Sequence, residues 1–144
     1  MKKVILFSLF SLLVFAGCEK SDVRDDYVGS WMFSQKGSVI MYQGSTQIAT
    51  IPLDQTQSVQ ISKSGVDELN IDGLICQLSG SKLLFDSQTE TQTSGNVVMQ
   101  LTATRSGTVS GNIMSIKETY SGTWSNGVQN GILSGSSNVT LTKN

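Results

Sequence analysis

Apolar and polar residues alternate along most of the chain after residue 27, and this period of two restricts the fold more than any other feature. Every second residue is apolar from Val97 to Ala103, and most residues between them are polar. The segments SVQIS, residues 58–62, and NVTLT, residues 138–142, alternate in the same way. Because successive side chains of a β-strand point to opposite faces, the pattern predicts antiparallel strands with one buried face and one solvated face.

Dipeptides that favour tight turns separate these segments, and the chain has 14 glycines but only one proline. Asp72-Gly73 is the clearest turn, because it divides ELNI from LICQL, two short apolar-rich segments. Asp, Asn and Gly tolerate the positive φ angles that such turns require. We also interpret as turns the Asn-Gly pairs that begin at residues 126 and 130 and the Ser-Gly pairs that begin at residues 64, 79, 94, 106, 110, 121 and 134.

The spacing of the turns predicts one all-β domain over residues 27–144. We expect an antiparallel up-and-down meander of about eight strands that closes into a small barrel, and a β-sandwich is the alternative closure. The predicted strands are residues 29–36, 38–43, 46–51, 57–63, 67–72, 74–79, 82–86, 91–104, 111–124 and 132–143.

Residues 1–17 have the pattern of a secretory signal peptide. Two lysines precede an apolar run that ends in small residues. The run is shorter than the roughly 20 apolar residues that a membrane-spanning helix needs. We therefore expect this segment to be absent from the mature protein.

The segment VFAGC, residues 14–18, resembles the lipobox of bacterial lipoproteins, in which small residues precede an obligatory cysteine. Ala16 and Gly17 fit that pattern, and Phe15 departs from its preference for an aliphatic residue. The resemblance implies that Cys18 becomes the lipid-modified N-terminus and anchors the protein to the membrane, here the outer membrane of the cell envelope. An ordinary signal peptide followed by a chance cysteine is the alternative.

The polar segment EKSDVRDD, residues 19–26, lacks aromatic residues and strand alternation. Such a composition is typical of flexible linkers. We therefore interpret residues 18–26 as the lipidated cysteine and a polar tether.

The two tryptophans of the chain stand in similar segments, YVGSW at residues 27–31 and YSGTW at residues 120–124. The residues around the two segments do not match, so we do not interpret them as an internal repeat. Gly29-Ser30-Trp31 resembles the Gly-x-Trp signature on the first strand of lipocalins. That resemblance implies a small lipocalin-like barrel whose closed end is plugged by Trp31. It also implies a basic side chain beside the ring, for which Lys143 is the first candidate and Arg105 the second.

The region from the lipobox to the C-terminus also resembles small lipoproteins of Bacteroidota with lipocalin-like domains. The shared features are the lipobox, the acidic tether, the opening YVGSW and the closing strand VTLTK at residues 139–143.

Glu118 lies between Ile116 and Tyr120 on a segment whose even-numbered residues are otherwise apolar. In a regular strand, Glu118 points into the barrel or its mouth, where a carboxylate is costly unless it is paired or hydrated. We then expect Glu118 and Tyr120 to contact a ligand. A nearby β-bulge that turns Glu118 outward is the alternative.

The residue types present exclude several kinds of site. The chain has no histidine, so it has no imidazole base and no His-containing zinc site. Leu74 and Leu78, the neighbours of Cys76 on the same strand face, are apolar, so Cys76 is expected to be a buried free thiol. With 10 Lys and Arg residues against 11 Asp and Glu residues, there is no basic patch for nucleic acid.

We therefore predict no catalytic residues, no metal site and no cofactor. The expected function is that of a non-enzymatic, monomeric lipoprotein that binds a small apolar ligand in its barrel. The alternative is a structural or interaction lipoprotein that binds another envelope component through its surface or loops.

Overall fold

A computed structural model describes residues 21–144 and shows a closed antiparallel β-barrel of eight strands with two additional strands. None of the helical segments within these residues has the length and apolarity that a membrane crossing requires. A short 3₁₀ helix, Val23–Asp26, precedes the strands. The strands are β1 (Gly29–Gln43), β2 (Thr46–Pro52), β3 (Gln55–Ser64), β4 (Glu68–Ile71), β5 (Leu74–Ser79), β6 (Lys82–Leu84), β7 (Gln88–Ser94), β8 (Val97–Ser110), β9 (Ile113–Ser125) and β10 (Asn130–Lys143).

The barrel closes where the first strand pairs with the last. The barrel order is β1, β3, β4, β5, β6, β8, β9 and β10, and every neighbouring pair is antiparallel. Across the closing seam, Trp31 faces Lys143 at one end and Tyr42 faces Ile132 at the other. The predicted barrel is therefore confirmed, and the sandwich alternative is wrong.

The additional strands β2 and β7 lie beside the halves of β1 and β8 that the barrel strands leave unpaired. β1 pairs with β3 up to Gln35 and with β2 from Ser38 onward. In the same way, β7 pairs with β8 up to Ala103, and β6 takes over at Ser106.

Within the described residues no strand lies between the first half of β3 and β7, because the β4–β5 hairpin is short, and this leaves a gap in the barrel wall. This hairpin reaches only Ile61 of β3 in the strand register, and its turn is Asp72-Gly73. We call the gap bounded by β3, this turn and β7 the window.

The backbone φ angles and the strand bounds show which of the predicted turns are present. Asp72 and Gly73 have φ angles of 50° and 96°, as expected for a tight hairpin. The predicted single strand 91–104 is instead a hairpin, with β7 and β8 joined around Gly95 at a φ of 60°. The predicted break at Gly37 is absent, since β1 continues through it.

Several Ser-Gly and Asn-Gly pairs that we interpreted as turns lie inside strands, and their glycines face the barrel interior. A Cβ atom on Gly135 would lie 2.2 Å from the backbone oxygen of Ser38, and one on Gly122 would lie 2.0 Å from that of Gln100. Only glycine permits so close an approach of neighbouring backbones, which lets long strands bend around the narrow barrel. The same correction applies to the pairs that begin at Ser106 and Asn130.

The core consists of two apolar clusters at opposite ends of the barrel interior. We call them the lower cluster, which contains Trp31, and the upper cluster, which contains Trp124. The other buried members of the lower cluster are Val59, Ile61, Leu69, Ile71, Cys76, Leu83, Val109, Met114, Ile116, Val139 and Leu141. Those of the upper cluster are Val39, Ala103, Tyr120 and Leu133.

The segment Asp22–Asp26 is held against the β3–β4 turn rather than extending freely. Arg24 donates from Nη1 to the carbonyl oxygens of Ser64 and Gly65 at 3.1 and 2.6 Å. Lys63 pairs with Asp22 at 3.0 Å and also with Asp25. The expected flexibility of the tether is therefore wrong for this part of it. The predicted signal peptide and Cys18 lie outside the described residues.

Candidate functional site

A cavity of about 430 Å³ lies inside the barrel and is bordered by the residues of the window. Its apolar wall comes largely from the lower cluster and the side chains packed on it, among them Phe33, Ile71 and Leu74. The wall at the window is polar, and the exposed side chains there are Gln55, Gln57, Asp72, Gln88, Glu90 and Gln92. The cavity therefore offers both apolar surface and hydrogen-bonding groups.

Glu118 lies inside the barrel with only 6% of its surface exposed. The register between β8 and β9 is unbroken from Val98 to Ser110, so the bulge that we considered for this strand is absent. The regular-strand alternative is the correct one. Arg105 is directly opposite Glu118 on β8, and its Nε atom lies 2.6 Å from Glu118 Oε1.

Four donors surround the Glu118 carboxylate. Besides Arg105 on Oε1, the Oε2 atom accepts hydrogen bonds from Gln35 Nε2 at 2.6 Å, from Ser137 Oγ at 2.6 Å and from the Tyr120 hydroxyl. Gln35, Tyr120 and Ser137 are themselves buried. We call these five residues the polar layer, because the lower cluster lies toward one end of the barrel from it and the rest of the upper cluster, apart from Tyr120, lies toward the other.

The polar layer keeps Glu118 ionised. Burial on its own would raise the pKa of Glu118, but the hydrogen bonds from Ser137 and Tyr120 and the ion pair with Arg105 outweigh it, so the pKa lies below its usual value. For Tyr120, burial and the hydrogen bond to Glu118 raise the pKa to about 12. Tyr120 is thus a neutral donor to a charged acceptor near neutral pH.

Two hydrogen-bond chains connect the polar layer to glutamines that line the cavity at the window. On the β3 side, Gln55 Nε2 donates to Gln35 Oε1 at 2.6 Å, and Gln35 donates to Glu118. On the β7 side, Arg105 Nη1 donates to Gln88 Oε1 at 2.9 Å, and Arg105 Nε donates to Glu118. The two chains end on different oxygens of one carboxylate.

The sequence singled out only part of this arrangement. Glu118 and Tyr120 both line the cavity, but Arg105 was considered only as a cation beside Trp31, and it pairs with Glu118 instead. Gln35 and Ser137 were missed. Their strand parity was the available signal, since Gln35 shares the face of Trp31.

In the lower cluster, Trp31 is fully buried and its indole Nε1 donates to the Tyr27 carbonyl at 2.8 Å. Lys143 lies opposite Trp31 across the seam, and its Nζ donates to the Asp26 carbonyl at 2.6 Å. The structure therefore brings Trp31 and Lys143 together as neighbours. Both side chains hold the backbone that enters the barrel.

Cys76 is buried, and this burial raises the pKa of its thiol to about 11. Within residues 21–144 there is no group of three or more His, Cys, Asp or Glu side chains that could hold a metal ion.

Comparisons with protein-family models, with curated proteins and with solved structures found no significant match.

Proposed function

We propose that this protein binds a small molecule in its barrel cavity and performs no chemical step on it. The observation that carries the proposal is the cavity of about 430 Å³, which combines an apolar wall with the polar window. Sites for small ligands commonly have this combination of a largely apolar lining and a few polar groups that fix orientation. The apolar wall supports a ligand with an apolar portion.

We further propose that the protein is a lipoprotein of the cell envelope, anchored to the outer membrane through Cys18. The lipobox-like VFAGC segment supports this proposal. The docking of Asp22–Asp26 on the barrel leaves few residues between Cys18 and the domain. A short connection of this kind holds the lower end of the barrel close to the membrane surface.

The anchor is tested by replacing the cysteine. In the native bacterium, Cys18→Ser should move the protein from the membrane fraction to the soluble envelope fraction and remove lipid-derived mass from the mature chain. Ser21→Ala, in the same segment, is the control and should leave both unchanged. Equal membrane retention of Cys18→Ser and the unmodified protein contradicts the anchor but leaves the cavity proposal intact.

Ligand binding is tested with the uncharged fluorescent probe N-phenyl-1-naphthylamine. We expect its fluorescence to rise in the cavity of the mature protein, and Leu74→Trp, which places a larger ring in the lining, to reduce that rise. Ile75→Trp is the matched control, because Ile75 is the next residue of β5 and is exposed on the outside. If both variants bind the probe as well as the unmodified protein does, the bound probe lies outside the cavity and the proposal fails.

A second candidate function is association through the free edge of β2. Among the strands of residues 21–144, β1 is its only partner, its sequence TQIATIP has no charged residue, and Ile48 is exposed. Uncharged free edges favour pairing with another strand. Light scattering tests it: a complex with a second copy of the chain that Ile48→Lys dissociates supports this candidate, and a monomer at all concentrations excludes self-pairing.

A further inference from the structure

The hydrogen-bond chain on the β7 side fixes which atom of Gln88 remains for other partners. A guanidinium group donates hydrogen bonds and cannot accept them. Arg105 Nη1 lies 2.9 Å from the Gln88 side chain, so Gln88 must present its oxygen to Arg105. The NH₂ group of Gln88 is then left as a donor at the window.

On the β3 side, the same reasoning leaves an acceptor. A carboxylate only accepts, so Gln35 must turn its nitrogen toward Glu118 and its oxygen toward Gln55. Gln55 therefore donates from its side-chain nitrogen to Gln35 within this hydrogen-bond chain. Its oxygen is left for other partners on the opposite side of the window from Gln88.

The charges around the cavity disfavour an anionic ligand. Among the described residues that line the cavity, the cation is Arg105, and it is already paired with Glu118 at 2.6 Å. Asp72 and Glu90 add negative charge at the window, but both are exposed, so water screens their attraction for an ammonium group. An ammonium group also has no acceptor for the Gln88 donor. The carboxylate of a fatty acid would lose water here without gaining an unpaired cation.

We propose that the cavity is selective for uncharged ligands that carry both a hydrogen-bond donor and an acceptor on an apolar body, as an aliphatic amide does. The amide oxygen accepts from Gln88 and the amide NH donates to Gln55, while the apolar body occupies the wall around Phe33 and Ile71. This inference rests on the proposed function, since it names the ligand class of the same cavity.

Three compounds with the same chain and different head groups test the selectivity: octanamide, octanoate and octylamine. Each is titrated at neutral pH into the mature protein, and side-chain NH₂ signals of the glutamines are followed by NMR. We expect octanamide to shift the signals of Gln55 and Gln88. It should bind about tenfold more tightly than octanoate, the equivalent of one net hydrogen bond.

Variants test whether the selectivity depends on the two hydrogen-bond chains. Gln55→Met should weaken octanamide several-fold and leave octanoate unchanged, because a carboxylate has no donor for the Gln55 oxygen. Gln88→Met should also weaken octanamide several-fold, because it removes the donor to the amide oxygen. Gln92→Met is the matched control, because Gln92 also lines the cavity from β7 but belongs to neither chain. The NMR shifts in the unmodified protein provide a readout that does not depend on how the variants fold.

The outcomes separate this inference from the proposed function. Octanoate or octylamine binding as tightly as octanamide overturns the inference, and so does an equal effect of all three Gln→Met variants. If N-phenyl-1-naphthylamine binds in the cavity but none of the three compounds does, the ligand class is again wrong. If that probe does not bind either, the proposed function itself fails.

Discussion

Arg105 and Glu118 occupy opposite positions on β8 and β9, and their side chains form an ion pair of 2.6 Å inside the barrel. Their side chains are 14% and 8% exposed, so both charges are largely removed from water. Removal of one member of such a pair leaves the other charge without its partner. Among the ion pairs of the described residues this pair is the least exposed, so we expect the deletion of one of its charges to be costly.

Glu118→Gln tests this cost. The variant keeps the shape of the side chain but removes the charge opposite Arg105, and we expect the free energy of unfolding in urea to fall by about 3 kcal/mol. Glu90→Gln is the control on the exposed face of the window, with an expected change within about 0.5 kcal/mol. Equal small changes in the free energy of unfolding of both variants would show that the ion pair contributes little to stability.

The double variant Arg105→Met/Glu118→Gln separates the pair from the rest of the polar layer. Removing both charges avoids a lone buried charge, so we expect the double loss to be smaller than the sum of the single losses by about 1–3 kcal/mol. Additive losses measured by the same urea unfolding would mean that the two side chains are not energetically coupled.

Acid should destabilise the barrel through Glu118. Its folded pKa lies below its ordinary value of 4.5, so its contribution to stability is complete above that value and is lost as the pH falls through the folded pKa. Asp22 adds a loss of the same sign, since hydrogen bonds from Arg24 and Lys63 lower its pKa. Unfolding followed from pH 7 downward should show a smaller decline in Glu118→Gln than in the unmodified protein. Identical declines would contradict this prediction.

The strand alternation predicted the barrel because the period of two survives along most of β8, β9 and β10. The same alternation placed Glu118 on the inner face, but it could not choose between a regular strand and a bulge. That choice depends on the register of β8 against β9, which is a relation between distant segments. The partners Gln35 and Ser137 come from β1 and β10, and no local pattern connects them to Glu118.

The errors in turn prediction have one physical origin. Glycine serves both in tight turns, as Gly73 does, and in strand interiors where neighbouring backbones come close, as Gly122 and Gly135 do. The two uses have similar local sequences, Asp-Gly or Ser-Gly. Only the position of the neighbouring strand distinguishes them.

Gly135→Ala tests the role of an inward-facing strand glycine. The new methyl group would lie 2.2 Å from the Ser38 carbonyl oxygen, so β1 and β10 must separate at the closing seam. We expect a loss of about 3 kcal/mol or failure to fold. Ser136→Ala, at the adjacent exposed position, should change stability by less than about 0.5 kcal/mol in the same urea measurement. A stable Gly135→Ala variant would show that the seam adapts.

Lys143 is expected to hold the entering segment in place without supporting the core. Its Nζ donates to the Asp26 carbonyl, and the 3₁₀ helix there is closed by bonds from the amides of Asp25 and Tyr27. In Lys143→Met, these two amides should exchange hydrogen faster, because the end of the segment opens locally more often.

The amide of Val139, in the buried part of β10, should exchange at an unchanged rate in the same variant, since the exposed Lys143 contact contributes little to global stability. Lys117→Met is the matched control. Lys117 is an exposed lysine on the neighbouring strand β9, and its loss should leave the Asp25 and Tyr27 amides unaffected. Faster exchange at Val139 in Lys143→Met would instead mean that Lys143 stabilises the closing seam of the whole barrel.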